Sequence, residues 1–342
     1  MHACMVRLGT NESFGQATGE MAFHHQVRVS KESVRLYTRE AGEVYERLQA
    51  DAEARTILTV EAPSARHMLS VDAAKVHTTT GEWRDMKTLT LAEVKPTGKT
   101  HRNTYFSRMS DYTAFARDCQ IEVHRRGLKS SPQACAVNDG ADWIPEVVTA
   151  CRPDAVRILD FYHAAQHLAE AARAVFGDGT PAFHAWFETH RRELRDGDPD
   201  RVLAALGQLA LEHPQHVEII NATQGYLLKR RDLICYVDFK AAHWPIGSGP
   251  GEAAHKVVIQ ARMKRAGMRW HTDNINPMAA MRNLVCNQRW DTDWPLILKA
   301  RRGSPTNKTP ATPSLLPSGF KLRPRTPWRN QPVGSARARP TS

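Results

Sequence analysis

Arg66-His67-Met68-Leu69-Ser70-Val71-Asp72, continuing from Ala73 to His77, is the stretch on which the fold turns. It reads as a strand, yet an acid stands in its middle. A charge inside a buried sheet costs several kcal/mol unless it is paired or bound to a metal. Downstream, Trp83 to Val94 reads as a second strand, with Leu89, Leu91 and Val94 among β-favouring threonines, and Thr100 to Ser110 as a third. Tyr112 to Arg126 is a helical stretch. Gln133-Ala134-Cys135-Ala136-Val137 is a short apolar strand running out in Asn138-Asp139-Gly140, and a helix follows from Trp143. Ala155 to Asp160 is a further buried strand, with a helix from about Ala164 to Phe176. Three strands followed by strand–helix alternation predict an α/β fold, a mixed sheet flanked by helices whose first strands form a meander. Ligands of such sheets collect at the carboxyl ends of the central strands, where Asp139 and Asp160 both fall.

Outward from this sheet the organisation changes. Residues 1–56 read as a helical segment. Ser30 is placed to cap a helix from Lys31 to about Gln49, with Val34, Tyr37, Ala41, Val44 and Leu48 on one face. An earlier helix covers about Ser13 to His25, and the turn at Val27-Arg28-Val29 gives the outline of a helix-turn-helix remnant. The sheet occupies residues 57–177. Residues 178–245 read as an all-α insertion punctuated by Pro181, Pro199 and Pro214, with Leu203, Leu206, Leu209 and Leu211 as a helical seam. Residues 246–298 return to the sheet domain.

The net charge of +11 is concentrated at one end. Ten cations and no Asp or Glu fall between Lys299 and Ser342, so the preceding residues are near neutrality. That tail is rich in Pro, Ser and Thr, predicting a basic disordered segment suited to phosphates. A solubilising terminus is the competing reading. The six cysteines contain no C-x-x-C pair, which argues against structural zinc and a disulfide framework. Cys119 and Cys135 sit in apolar segments as small core residues. No apolar run reaches the roughly 18 residues of a membrane span, and Met1 to Arg7 lacks a signal-peptide core. A cytoplasmic protein is expected.

The chemistry concentrates in Gly247-Ser248-Gly249-Pro250-Gly251-Glu252-Ala253-Ala254-His255-Lys256 and its continuation to Trp270. A glycine-rich turn delivers Glu252 to the start of a helix expected to carry Lys256, Arg262, Lys264, Arg265 and Arg269 and no second acid. One acid among so many cations suits a metal that takes up its charge while the cations hold a polyanion. Asp72, Asp139 and Glu252 are the candidate ligands, since three carboxylates and no His or Cys cluster suit Mg²⁺. Asp139-Gly140 is also compatible with a hairpin turn, although a helix rather than a returning strand follows it. Asp160, ending its own strand, competes with Asp139 for the second metal position. It is equally suited to cap the next helix, with His163 one turn on.

The blocks Ser70-Val71-Asp72, Glu82 to Lys87, Asn138 to Ile144, Ile158 to Ala164 and Gly247 to Trp270, with Asn276-Pro277-Met278 and Cys286 to Trp290, resemble the DDE transposases of bacterial insertion sequences. The resemblance is to the ISKra-type group of the mutator-like superfamily and covers roughly residues 60–295. It implies an RNase H-like catalytic core with an α-helical insertion before the last acid. It further implies that Asp72, Asp139 and Glu252 are the metal-binding catalytic acids, Asp160 and His163 an assisting D-x-x-H motif, and Mg²⁺ or Mn²⁺ the cofactor. DNA, as element ends and target, is the implied partner, with a homodimer or higher oligomer on it and a nucleoid-associated place in the cell. Ala73 replaces the glycine common after the first acid, and Ala253-Ala254 the small polar residue common after the third. Neither change removes a ligand. The leader is shorter than the resemblance implies for end recognition, so a reading frame extending upstream of Met1 is expected. The competing expectation is a truncated or domesticated relative that binds DNA without cutting it. An RNase H-like nuclease without strand transfer shares the same acids. Glycoside hydrolysis fits poorly with a cation-rich Glu252 helix.

Overall fold

The structure is a computed structural model and describes residues 1–50 and 58–302. The basic tail beyond Arg302 and the stretch between the helical leader and Leu58 lie outside the described residues. The sheet is built from β1 (Arg66–His77), β2 (Trp83–Val94), β3 (Thr100–Arg108), β4 (Gln133–Asn138) and β5 (Val156–Leu159) in the order β3-β2-β1-β4-β5. The first three strands are the expected antiparallel meander, while β4 and β5 add on in parallel to β1. The Asp139-Gly140 turn therefore makes no hairpin. It leads instead into a crossover through α6 (Ile144–Cys151), after α4 (Tyr112–Asp118) and α5 (Gln120–Arg125).

Strand alternation sorts the side chains into two layers. Leu69, Val71, Leu89, Leu91, Phe106, Ala134 and Ala136 pack on Phe115, Ile121 and Val147 of α4 to α6. On the other face Met68, Cys135, Val137 and Ile158 meet α7 (Phe161–Phe176) and the helical block after it. That block comprises α8 (Pro181–Asp196), α9 (Pro199–Glu212), α10 (Val217–Leu228) and α11 (Tyr236–Ala241), helical as expected. Further along the same face, Val76 and Met86 are covered by a second body. It consists of α12 (Gly249–Ala254), its π-helical continuation (His255–Gln260) and α13 (Ile275–Cys286). Ser70 and Asp72 lie between Met68 and Val76 on this face, at the seam of the two covers.

The leader is woven into the same core. It comprises α1 (His2–Asn11), α2 (Phe14–His25) and α3 (Lys31–Ala50); Ser13 caps α2 in a capping box with Gln16, and Ser30 makes the expected cap of α3, its Oγ accepting from Ser33 N–H at 2.9 Å. Val6, Val44, Tyr45 and Leu48 pack on Met281 and Leu284 of α13 and on Trp290, Trp294 and Ile297 of α14 (Trp290–Arg302). Tyr45 donates to Asp293 at 2.7 Å, and the buried Arg125 reaches the same carboxylate at 2.6 Å. α3, the second helix of the helix-turn-helix outline, thus packs one face through Val44, Tyr45 and Leu48 into this core. Lys299, Arg301 and Arg302, read as the start of the tail, are the last turn of α14, where cations complement the helix dipole.

Candidate active site

Asp72 sits mid-strand in β1, opposite Thr88 of β2. The parallel register that sets Leu69 level with Ala136 is kept beyond the ladder, because Val71 N–H donates to Asn138 Oδ1 at 2.6 Å. The 67-residue offset of that contact also separates Asp72 from Asp139, so the two acids stand level on adjacent strands. Both are half-buried. Asp139 Oδ1 accepts Ala141 N–H at 3.0 Å, forming the turn that ends β4. Gly140 holds a positive φ of 84°, and an added Cβ would lie 2.8 Å from Leu159, Tyr226 and Arg230, so glycine is required here.

The third acid arrives by a different route. Gly251 lies directly over β1, where an added Cβ would meet Ser70 Oγ at 2.6 Å. This close approach seats the start of α12 beside Asp72 and leaves the next residue, Glu252, exposed in its first turn. One turn later His255, buried, brings Nε2 to 3.2 Å from Asp72 Oδ2 while Asp72 Oδ1 takes Ala73 N–H at 2.6 Å. The His255 nitrogen is off the hydrogen-bonding line and has no such partner. Burial lowers the His255 pKa, the Asp72 carboxylate opposes that shift, and the net direction is down, towards neutral imidazole.

Asp160 proves to be a structural anchor. It is fully buried. Oδ1 accepts Tyr162 N–H at 2.7 Å and His163 N–H at 3.2 Å, capping α7, while Oδ2 accepts Ser248 N–H. Phe161 N–H donates to Ile246 O at 2.9 Å beside it. With both oxygens engaged by N–H groups, Asp160 ties the end of β5 to the glycine turn that launches Glu252. Of the two competitors, Asp139 is therefore the one presented to the surface. His163 is partly exposed, and its backbone N–H is what Asp160 holds.

The helical block supplies anchors that sequence reasoning missed. Tyr226 donates to Asp139 O at 2.8 Å, Arg230 to Gly140 O at 2.7 Å, and Tyr236 to Leu159 O at 3.0 Å. Burial pushes the Tyr226 phenol up against the opposing pull of Arg230, and Asp139 and Asp160 add to the rise, which keeps the donor proton in place. These residues lie far from the acids in sequence, and nothing in their local pattern marks them. His255 did carry a signal, being three residues after Glu252 and so on the same helical side.

The cation row needs correction. The helix closes with Ala261–Met263, so Lys264, Arg265 and Arg269 follow it rather than ride on it. Arg262 is buried, donates to Gly9 O at 3.1 Å and lies between the Phe14 and Trp270 rings at 4.7 and 5.0 Å. Its guanidinium is engaged inside the fold rather than exposed on a helix face. Arg265 binds Glu12, Gln16 and the carbonyl of Asn11. Lys256, Lys264 and Arg269 are exposed.

Among the described residues, no three His, Cys, Asp or Glu side chains are gathered closely enough to hold a metal ion. Asp72 and Asp139 stand level and the turn before Glu252 lies over Ser70, but Asp72 and Asp139 turn to local N–H partners and Glu252 is exposed. The cage expected from the sequence is not preassembled. In donor chemistry the three carboxylates still suit a hard cation, and the unpartnered buried His255 nitrogen lies beside the Asp72 carboxylate. No helix among the described residues is long and apolar enough to cross a membrane. Compared with known proteins, the chain matches no family model and no curated sequence.

Proposed function

We propose that this chain is a DDE transposase of the ISKra type, built on an RNase H-like core and acting on DNA with Mg²⁺ or Mn²⁺. The observation that carries the reading is that Asp72 and Asp139 stand level on adjacent parallel strands, with the Glu252 helix start seated over Ser70. The strand order and the antiparallel β2 are those an RNase H-like core requires. Asp72, Asp139 and Glu252 would hold the divalent cation, which when bound supplies Lewis-acid stabilisation of charge developing on phosphate oxygens. The implied reaction is two in-line substitutions at phosphorus. Water first releases a 3′-hydroxyl at the element end, and that hydroxyl then displaces the 3′-oxygen of the target strand. Lys256, one turn beyond Glu252, and Lys264 and Arg269 after the helix would hold backbone phosphates. Asp160 acts as a positioning residue, fixing the turn that carries Glu252. Joining two ends implies a homodimer or larger assembly on DNA.

The test is cleavage and strand joining on element-end DNA with Mg²⁺ or Mn²⁺, beside Asp139→Ala and Glu252→Gln. Expected is cation-dependent joining by the native chain, lost in both variants while DNA binding is kept. One observation favours the alternative of a DNA-binding relative without catalysis: the three acids are not gathered. DNA binding with no cation-dependent joining would select that alternative.

A further inference from the structure

We propose that the tip of the β1–β2 hairpin, with the loop that follows the Glu252 helix, is a stacking platform for an unpaired DNA base. The inference rests on the DNA reading above and adds a site to it. His77 and Trp83 face each other across the hairpin and stack, with ring centroids 4.6 Å apart and planes at 10°. Trp83 is 55% exposed, an unusual amount of aromatic face to leave in water at a strand start. A groove of about 340 Å³ separates this stack from the loop, lined there by Lys264, Arg265 and Arg269 and by no Asp or Glu. Lys264 and Arg269 are in no ion pair among the described residues, whereas Arg265 is held by Glu12. The nearest acid along the strand, Glu82, is paired with Arg84 at 2.8 Å.

The groove is also held in shape. Trp270 N–H donates to His77 O and Thr79 N–H to Trp270 O, each at 2.9 Å. Trp270 Nε1 donates to Met263 O at 3.1 Å, closing the loop on the helix end. A rigid aromatic face beside unpaired cations and without acids matches the two parts of single-strand recognition, base stacking and backbone neutralisation. Duplex DNA hides its base faces, so a flat exposed ring selects an unpaired nucleotide. The helix from Glu252 to Met263 spans about 16 Å, roughly five stacked nucleotides, so the platform would hold a strand a few nucleotides from the acids.

The experiment uses the full chain and fluorescence anisotropy with a labelled oligothymidine and with a blunt duplex of equal length. Trp83→Ala should weaken single-strand binding about tenfold and leave duplex binding within about twofold, while Trp83→Phe keeps most of the single-strand affinity. Lys264→Ala with Arg269→Ala should weaken both and lower the salt slope by about two. Equal single-strand affinity for the native chain and Trp83→Ala would overturn the platform, as would a native chain that binds no single strand. An equal loss on both DNAs would overturn it too. Strand joining is scored separately. Joining that survives an indifferent Trp83→Ala result sinks the platform alone, and Trp83-dependent binding without joining sinks the catalytic reading alone.

Discussion

Replacing Asp160 by Asn separates a positioning role from direct metal ligation. The side chain keeps its size, so its place beside Gly247 is preserved. Its carboxylate accepts from Tyr162, His163 and Ser248. An amide satisfies the helix cap through its oxygen but turns an NH₂ group towards Ser248 N–H, leaving that buried donor unpaired. Hydrogen bonds to a charged acceptor contribute about 1.5–3 kcal/mol, and an unsatisfied buried donor costs about 1–3 kcal/mol. These overlap, so the net loss should be about 2–4 kcal/mol, a fall in Tm of roughly 3–6 °C for a domain of this size. The freed turn at Gly247-Ser248 lets the start of α12 drift, so joining activity should fall while duplex binding is retained. Thermal unfolding by circular dichroism and cation-dependent strand joining are the two readouts. A variant as stable as the native chain yet inactive would refute the anchor and return Asp160 to the metal.

Arg262→Met should lower stability by about 1–3 kcal/mol and leave the salt dependence of DNA binding unchanged, while Lys256→Ala keeps stability and lowers the salt slope by about one. Tyr226→Phe removes the donor to Asp139 O and should destabilise by about 1 kcal/mol in denaturant titration, with joining reduced more than DNA affinity. His67, buried near Arg126, has its pKa lowered to about 4, mainly by burial. A folded-state pKa below the unfolded value of 6.5 contributes stability that is complete above pH 6.5 and is lost as pH falls towards 4. The native chain should therefore lose up to about 3 kcal/mol more than His67→Leu across that window, measured by urea unfolding at each pH. Mn²⁺ titrated by electron paramagnetic resonance should bind weakly to the free chain and at least tenfold more tightly with DNA, because phosphate oxygens complete the coordination. Equal affinity in both cases would contradict that.

Much of the fold was legible because strands and caps are local. The period-two pattern of β1, the threonine-rich β2 and the serine caps at Ser13 and Ser30 needed no distant partner, and each element formed where expected. The level placement of Asp72 and Asp139 follows from two strands entering the sheet in parallel, which the strand–helix alternation already required. Long-range partnerships were not legible. A cation in a basic run looks solvated until Gly9 O and two aromatic rings close over it, as they do at Arg262. The pairing of Asp160 with Ser248 spans 88 residues, and local patterning distinguishes a capping aspartate from a metal ligand only when such a partner is known. The leader shows the same limit, since amphipathic helices say that they pack but not on what.

The seam between the two covers of the sheet explains how a site can be fixed in backbone and loose in side chain. Asn138 locks β4 to β1, Tyr226 and Arg230 lock the Asp139 turn, and Asp160 locks the turn before Glu252. Every one of these contacts ends on a main-chain atom, so the acids share a frame, while the carboxyl groups of Asp72 and Asp139 are held only by local N–H groups and that of Glu252 is exposed. Reorienting three such side chains costs about 0.5–1.5 kcal/mol each, or about 1.5–4.5 kcal/mol together. That is small beside the attraction of three carboxylates for a divalent cation, yet large enough to make assembly depend on a further contribution. Phosphate oxygens of bound DNA are the natural source, since a hard cation prefers a few carboxylates together with substrate oxygens. An arrangement of this kind couples cation capture to substrate capture, which would restrain a nuclease-competent site from forming before DNA is in place.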